Sequence, residues 1–353
     1  MQDILNLAFE VHRVTEEKIG VIDDLTRRTR TLSLNARIEA TRAGDRGSAF
    51  AVVAQEMSDF AKEVAQLSTE LRNAIGSNMA RIETAGERMM LDFRGARFSD
   101  LSRNVVEIMD RNLYERSCDV RWWATDSAVV NAVEEKASTV ERALAAKRLA
   151  TILRSYTVYL DLWIVDLEGR IVTNGRGDRY PDLAGNDVSH EEWFRKALET
   201  QSGDDFAVCN ITLNPLLENA AVATYSTAIR QEGDTYGAPI GVLGIFFDWQ
   251  PQAQAVISNV ALSEEEKSNS RVMLLDNDLR VIASSDGRGI LTEKFKLKVA
   301  GQQHGFYLDG KRLVSYALTP GYETYSGLGW YGCIESTLAL QHDLIDPNRA
   351  VMA

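Results

Sequence analysis

Cysteine is scarce. Cys118, Cys209 and Cys333 are the only three in 353 residues, far apart and without a CxxC pair. That spacing argues against a disulfide scaffold or a zinc ribbon and fits a reducing compartment. Histidine is scattered as His12, His190, His304 and His342, with no HExxH or other ligand spacing, so no metal site is expected. Proline numbers only six, and none falls in the first 95 residues. No apolar run approaches the roughly 18–20 residues that a membrane helix needs. The longest, Ala238 to Trp249, is interrupted by Pro239 and glycines and reads as a buried strand. The opening MQDILNLAFE lacks the basic region and cleavage site of a signal peptide. Positive charge is in deficit, 39 Lys+Arg against 51 Asp+Glu for a net −12, which argues against a general nucleic-acid or anionic-membrane binder. P-loop, Rossmann, GxSxG and Cys/His patterns are missing as well. The expectation is a cytoplasmic protein that is no enzyme, with no catalytic residue and no cofactor.

What the chain does contain falls into zones. Up to about residue 95, apolar residues keep a seven-residue repeat. Ile4, Leu7, Val11, Val14, Val21 and Leu25 form one run; Phe50, Val53, Met57, Phe60, Val64, Leu67, Leu71 and Ala74 form another. Alternating steps of three and four indicate a coiled-coil seam. Gly44-Asp45-Arg46-Gly47 between the runs marks a turn. The two arms make an antiparallel hairpin, each of about 40 residues and roughly 60 Å. A lone hairpin cannot bury such a seam, so a homodimeric four-helix bundle is expected. Residues 96–155 read as one long helix, possible kinks included, through Trp122-Trp123 and VERALAAKRLATIL.

Beyond it the period changes to that of strands. DLWIVD and Arg170–Thr173 flank a tight turn, a short helix covers His190–Thr200, and strands follow near Phe206–Leu213, Ala220–Ile229 and Pro239–Asp248. The pattern then restarts. Asp166 aligns with Asp276 and Arg170 with Arg280, an offset of 110 residues. Such a repeat predicts two related α+β modules in tandem, residues 156–255 and 256–340, with a tail at 341–353.

The turn segment LSLNARIEATRAGDRGSAFAVVAQEMSDFA resembles the signalling tip of methyl-accepting chemotaxis receptors. A mere seam explains Phe50, Val53 and Met57 but not the polar Asn35, Glu39 and Arg42. The resemblance implies that Asn35, Glu39, Arg42 and Val52 bind partners: other receptor dimers, the chemotaxis histidine kinase or its coupling adaptor. Arg27 and Thr31 stand where the family usually has Phe and an aliphatic residue. Residues 27–46 carry six Arg against Glu39 and Asp45, a basic segment in an acidic protein.

The strand zone resembles a double Cache sensor, a PAS-like fold. The carriers are DLWIVDLEGRIVTN, DVSHEEWFRKALET, GAPIGVLGIFFDW and GLGWYGCIES. The expected fold class is therefore α+β: an N-terminal antiparallel coiled-coil hairpin, a long helix, then two tandem PAS-like Cache modules with antiparallel sheets. The resemblance places a small-molecule site in the first module, under the layer Tyr180–Thr200. Trp193 and Phe194 match its aromatic pair, and Trp193 is suited to stack on a planar ligand or cover a cation. Amino-acid-binding members place Arg where this chain has Glu191 and Asp where it has Phe246. Both anchors of an α-amino acid are thus absent, and an amine or neutral heterocycle is favoured. Tyr180, Asn210, Tyr225, Thr227 and Asp248 complete the candidate site. The resulting expectation is a chemoreceptor-like transducer that senses a small metabolite. The alternative is a dimeric scaffold whose Cache pair is a ligand-free spacer.

Overall fold

The computed structural model describes residues 2–299 and 301–338. The tail expected at 341–353 lies outside them. Packing divides the chain into two units that meet between Arg94 and Gly95.

In the first unit, α1 (Gln2–Arg42) and the first half of α2 (Ser48–Trp123) form the hairpin, joined by the turn Gly44–Gly47. Gly47 has to be glycine, because a Cβ there would stand 2.2 Å from the Ala40 carbonyl oxygen. The arms meet through small side chains at seven-residue spacing: Ser33 and Ala40 on α1, Ala54, Ala61 and Ser68 on α2, all buried. Small residues let the helix axes approach closely. Arg72 reaches across to Asp23 at 2.8 Å and Glu16 at 3.3 Å, fixing the register of the arms. The large apolar residues of the predicted seam flank this contact: Leu25, Phe60 and Val64 line one groove with Ala61. Leu7, Val11, Leu25, Phe50, Val53, Phe60 and Leu67 are exposed, Phe60 at 65% and Phe50 at 72%.

Residues 96–155 are three helices rather than one. Helix α2 runs on to Trp123, followed by α3 (Ser127–Asn131) and α4 (Thr139–Ser155). The breaks have local causes. Asp126 caps α3 by accepting from the Ala128 N–H, and Ser138 and Glu141 close a reciprocal capping box at the start of α4.

The second unit holds two five-stranded antiparallel sheets of identical order. The first comprises β1 (Tyr159–Val165), β2 (Ile171–Asn174), β3 (Ala207–Asn214), β4 (Ala220–Arg230) and β5 (Pro239–Asp248), arranged β2-β1-β5-β4-β3, with α5 (Glu192–Leu198) over one face. Helices α6 (Trp249–Ser258) and α7 (Glu264–Asn269) lead to the second. Its strands are β6 (Ser270–Leu275), β7 (Val281–Ser284), β8 (His304–Asp309), β9 (Arg312–Leu318) and β10 (Tyr331–Thr337), arranged β7-β6-β10-β9-β8. The 110-residue repeat survives in the register. Trp163 pairs Asn174 and Met273 pairs Ser284; Ile164 pairs Thr173 and Leu274 pairs Ala283. Even the irregularity in the ladder falls at corresponding places, after Ile164 and after Leu274.

Residues 95–123 of α2 lie along both sheets. Ser99 and Ser102 hydroxyls donate to the carbonyls of Tyr316 and Ser315 on β9. Further on, the Arg116 guanidinium lies over the rings of Tyr159 and Phe247, and the Tyr159 hydroxyl donates to Asp119. The modules also touch each other: the Trp249 indole N–H donates to the Ile282 carbonyl at 2.6 Å.

Candidate functional site

The space between α5 and the first sheet is built from rungs of the sheet. Asp161, Phe246, Thr224 and Cys209 are consecutive partners across β1, β5, β4 and β3. Trp193 and Phe194 project from α5 into this space and are buried. The Trp193 ring approaches so closely that a Cβ on Gly244 would stand 2.8 Å from it. Trp163 and Phe246 fill the rest, ring centroids 4.0 Å apart, with Trp193 perpendicular to Phe246 at 5.5 Å. The region expected to receive a ligand is packed with aromatic side chains.

Polar groups fix this packing. Asp161 is fully buried and accepts five hydrogen bonds: from the backbone N–H groups of Leu162, Gly175 and Arg176, the Trp163 indole and the Asn174 amide. Burial pushes its carboxyl pKa up, against the pull of those donors. The Ser226 hydroxyl donates to the Trp193 carbonyl at 2.8 Å. Burial also raises the Cys209 thiol, to about 11, which leaves it protonated and unreactive at neutral pH. At the end of the sheet, Asp248 is half-buried; desolvation raises it, opposed by the charges of Arg179 and Arg176. The Tyr180 hydroxyl nearby is buried without a hydrogen-bond partner among the described residues.

Other candidates sit elsewhere. Asn210 faces the second module, where its amide donates to Asn277 Oδ1 at 3.0 Å and its oxygen accepts from the Trp330 indole at 3.4 Å. The Tyr225 hydroxyl lies 3.2 Å from that of Tyr325. The Thr227 hydroxyl donates to the Asp205 carbonyl at 2.7 Å. These three residues are not brought together with Trp193. The reason is strand parity: successive residues point to opposite faces, and on β4 the face toward α5 carries Thr224 and Ser226. Glu191 caps α5 through its backbone position only. Its carboxylate turns toward His190 Nε2 at 3.2 Å and is 44% exposed. Asp161, Thr224 and Ser226 escaped the sequence reading, although DLWIVD places Asp161 two residues before Trp163, on the same strand face.

At the hairpin tip, Asn35, Glu39, Arg42 and Val52 are all exposed. The first three follow i, i+4, i+7 spacing on one helix face. Arg42 pairs with Glu39 at 2.8 Å.

Residues 1–99 match the methyl-accepting chemotaxis protein (MCP) signalling domain. The N-terminal hairpin is an MCP signalling domain. Over 110 residues the chain is 34% identical to a methyl-accepting chemotaxis aspartate transducer of Klebsiella aerogenes, covering 31% of this chain and 19% of that protein. Over 78 residues it is 40% identical to methyl-accepting chemotaxis protein I of Escherichia coli, covering 20% and 14%. The chain thus spans less than a fifth of the length of these curated relatives.

The second unit resembles solved structures in fold. The ligand-binding domain of the Pseudomonas aeruginosa PAO1 amino acid chemoreceptor PctC, in complex with GABA, superposes with a TM-score of 0.51 at 15% identity, covering 68% of this chain and 98% of that one. The sensor domain of the V. cholerae histidine kinase DctB gives 0.51 at 9% identity, covering 72% and 99%. The long helix and paired sheets therefore share the fold of these Cache-type domains, and they follow a hairpin that matches the MCP signalling domain. None of the described helices is long and apolar enough to cross a membrane.

Proposed function

We propose that the protein is a chemoreceptor-like signal transducer, in which a double Cache sensor controls an MCP signalling hairpin that contacts a chemotaxis histidine kinase and its coupling adaptor. The observation that carries this reading is the division of the hairpin's surface. Its small residues are consumed between the arms, while a heptad-spaced stripe of large apolar residues faces outward and leaves the polar Asn35, Glu39 and Arg42 at the tip. A second copy covers the stripe and makes a four-helix bundle. The tip then serves partners. Helix α2, shared by both units, is the route for the signal. The protein performs no catalysis and acts in the cytoplasm.

The input is a metabolite in the first module, beside Trp193, Phe194, Tyr180 and Asp248. An amine or neutral heterocycle suits it better than an α-amino acid, because Glu191 stands at the position where amino-acid-binding members place the Arg that clamps a carboxylate. Entry requires the aromatic packing to open. A ligand shifts the signal only by binding one arrangement of α2 better than the other. The dense packing of Trp163, Trp193 and Phe246 also favours a second reading, a dimeric scaffold whose sensor binds nothing.

Capture of purified kinase and adaptor on the immobilised full chain separates the readings. Retention by wild type and loss in Arg42→Ala supports the transducer; absence of retention by both supports the scaffold. A thermal-shift screen with amines, purines and amino acids tests the input. Stabilisation that disappears in Trp193→Ala supports the assigned site, and tight binding of an α-amino acid overturns the ligand class.

A further inference from the structure

Asp110 sits on α2 where the helix meets the loop between β9 and β10, residues 319–330. Its side chain is fully buried. Oδ2 accepts the Gly321 backbone N–H at 2.8 Å, while Oδ1 has no hydrogen-bond partner among the described residues. The loop presses close, since a Cβ on Gly327 would stand 3.4 Å from Oδ1. Among the described residues no cation is paired with it. The nearby ion pairs on the helix are Arg103 with Glu107 and Arg116 with Asp119.

The groups around Asp110 are known from each side. From the helix come Glu107, Arg111 and Tyr114; from the loop come Tyr322, Glu323 and Tyr325; from β4 comes Tyr225, behind Tyr325. Arg111 is engaged over the Tyr322 ring at 5.3 Å, and Tyr114 meets the same ring edge-on. Glu107 adds a repulsive charge. The far side of the loop reaches the first module, where Tyr325 lies 3.2 Å from the Tyr225 hydroxyl and stacks on Phe206. One carboxylate therefore stands beneath a loop that joins the helix and both modules.

We propose that Asp110 is a proton-operated latch: when neutral it lets the loop 319–330 close on α2 and hold the Tyr325–Tyr225 bridge, and when ionised it loosens that loop. The physical cause is that an ionised carboxylate with one partner costs far more in a buried site than the neutral acid does. Burial, opposed by the Gly321 N–H and reinforced by Glu107, pushes its pKa up to about 6. In the unfolded chain the same group titrates near 4. The raised folded value means that the closed loop is favoured in acid. That advantage is lost as pH rises from about 4 through about 6. The latch is independent of any metabolite in the first module.

Hydrogen exchange of the loop amides in the full chain, corrected for intrinsic rates, tests the latch between about pH 5 and 8. In wild type the protection of 319–330 is expected to fall by roughly threefold or more with a midpoint near pH 6. Asp110→Asn, which keeps an acceptor for Gly321 and carries no charge, is expected to remain protected throughout. Glu107→Gln is expected to move the midpoint to lower pH, and it decides the question should the Asn variant fail to fold. A pH-independent loop in wild type, an unchanged transition in Asp110→Asn, or an unmoved midpoint in Glu107→Gln overturns the proposal.

Discussion

The phenol of Tyr225 in the first sheet lies 3.2 Å from the phenol of Tyr325 in the second module, and both rings stack on Phe206. Both side chains are buried, so each hydroxyl depends on the other. Removing one leaves its partner unsatisfied at a cost of about 1–3 kcal/mol, whereas removing both costs much less. Tyr225→Phe and Tyr325→Phe are each expected to destabilise the second unit, and the double variant to recover part of the loss. Urea unfolding of the three variants measures the coupling; strictly additive losses would dissolve the pair.

Gly244 sets the distance between Trp193 and the first sheet. Gly244→Ala places a methyl group 2.8 Å from the indole ring, with Phe246 and Phe194 blocking its retreat. Overpacking of this kind costs about 1–3 kcal/mol. A lower melting temperature together with a changed near-UV tryptophan signal is expected. An unchanged spectrum would mean that the indole is not seated on Gly244.

The hairpin, both sheets and the 110-residue repeat were legible in the sequence because each rests on a periodic pattern. The seven-residue spacing of Phe50, Val53, Met57 and Phe60 names a helix seam, and Asp166 with Arg170 recurs as Asp276 with Arg280. What escaped lies in single residues. Tyr225 and Thr227 lie on the face away from α5, which was not readable because a strand's hydrophobicity shows no parity when both faces are buried, as on β4; Asn210, on β3, alternates with the buried Cys209 and Ile211 and could have been placed. The ladder also shifts between Cys209 and Thr212, which no local signal announces. The end of α2 was readable in principle. Asp126 before Ser127 and the Ser138–Glu141 pair are helix-start signals inside a stretch taken as one helix. Asp110 left a trace too, an acid one turn after Val106 and one turn before Leu113 on a buried face.

The exposed stripe of the hairpin predicts its own disruption. Phe60→Glu or Leu67→Glu puts a charge into the surface proposed to receive a second copy, while the buried Ala54, Ala61 and Ser68 between the arms stay in place. Burying an unpaired carboxylate in an apolar seam costs several kcal/mol, so the variant is expected to sediment as a monomer with the second unit still folded. A wild type that is monomeric at micromolar concentration, or a variant that remains dimeric, would refute the assembly.

Arg271 gives the second module a pH dependence of determinate sign. Its guanidinium grips both oxygens of Glu293 at 3.1 and 2.9 Å and meets Asp286 at 3.2 Å. Burial pushes Asp286 up, yet hydrogen bonds from the Ser284 hydroxyl and from Arg288, with the charge of Arg271, hold it well below the usual carboxylate range. Glu293 is lowered chiefly by its bond to Arg271. Depressed folded values mean stability that is fully present above the ordinary carboxylate pKa of about 4 and lost as pH falls below it. The sign is opposite to that of Asp110, whose raised value makes its contribution fall as pH rises. Arg271→Gln is therefore expected to destabilise the module at neutral pH, by an amount between the ~1 kcal/mol of a surface pair and the ~3–5 kcal/mol of a buried one. It should also flatten the loss between about pH 5 and 3, because Asp286 and Glu293 then titrate nearer their unfolded values. Melting temperatures of wild type and variant across that range check both parts. Parallel curves would show that Arg271 is a packing residue and that its charge is not what the carboxylates require.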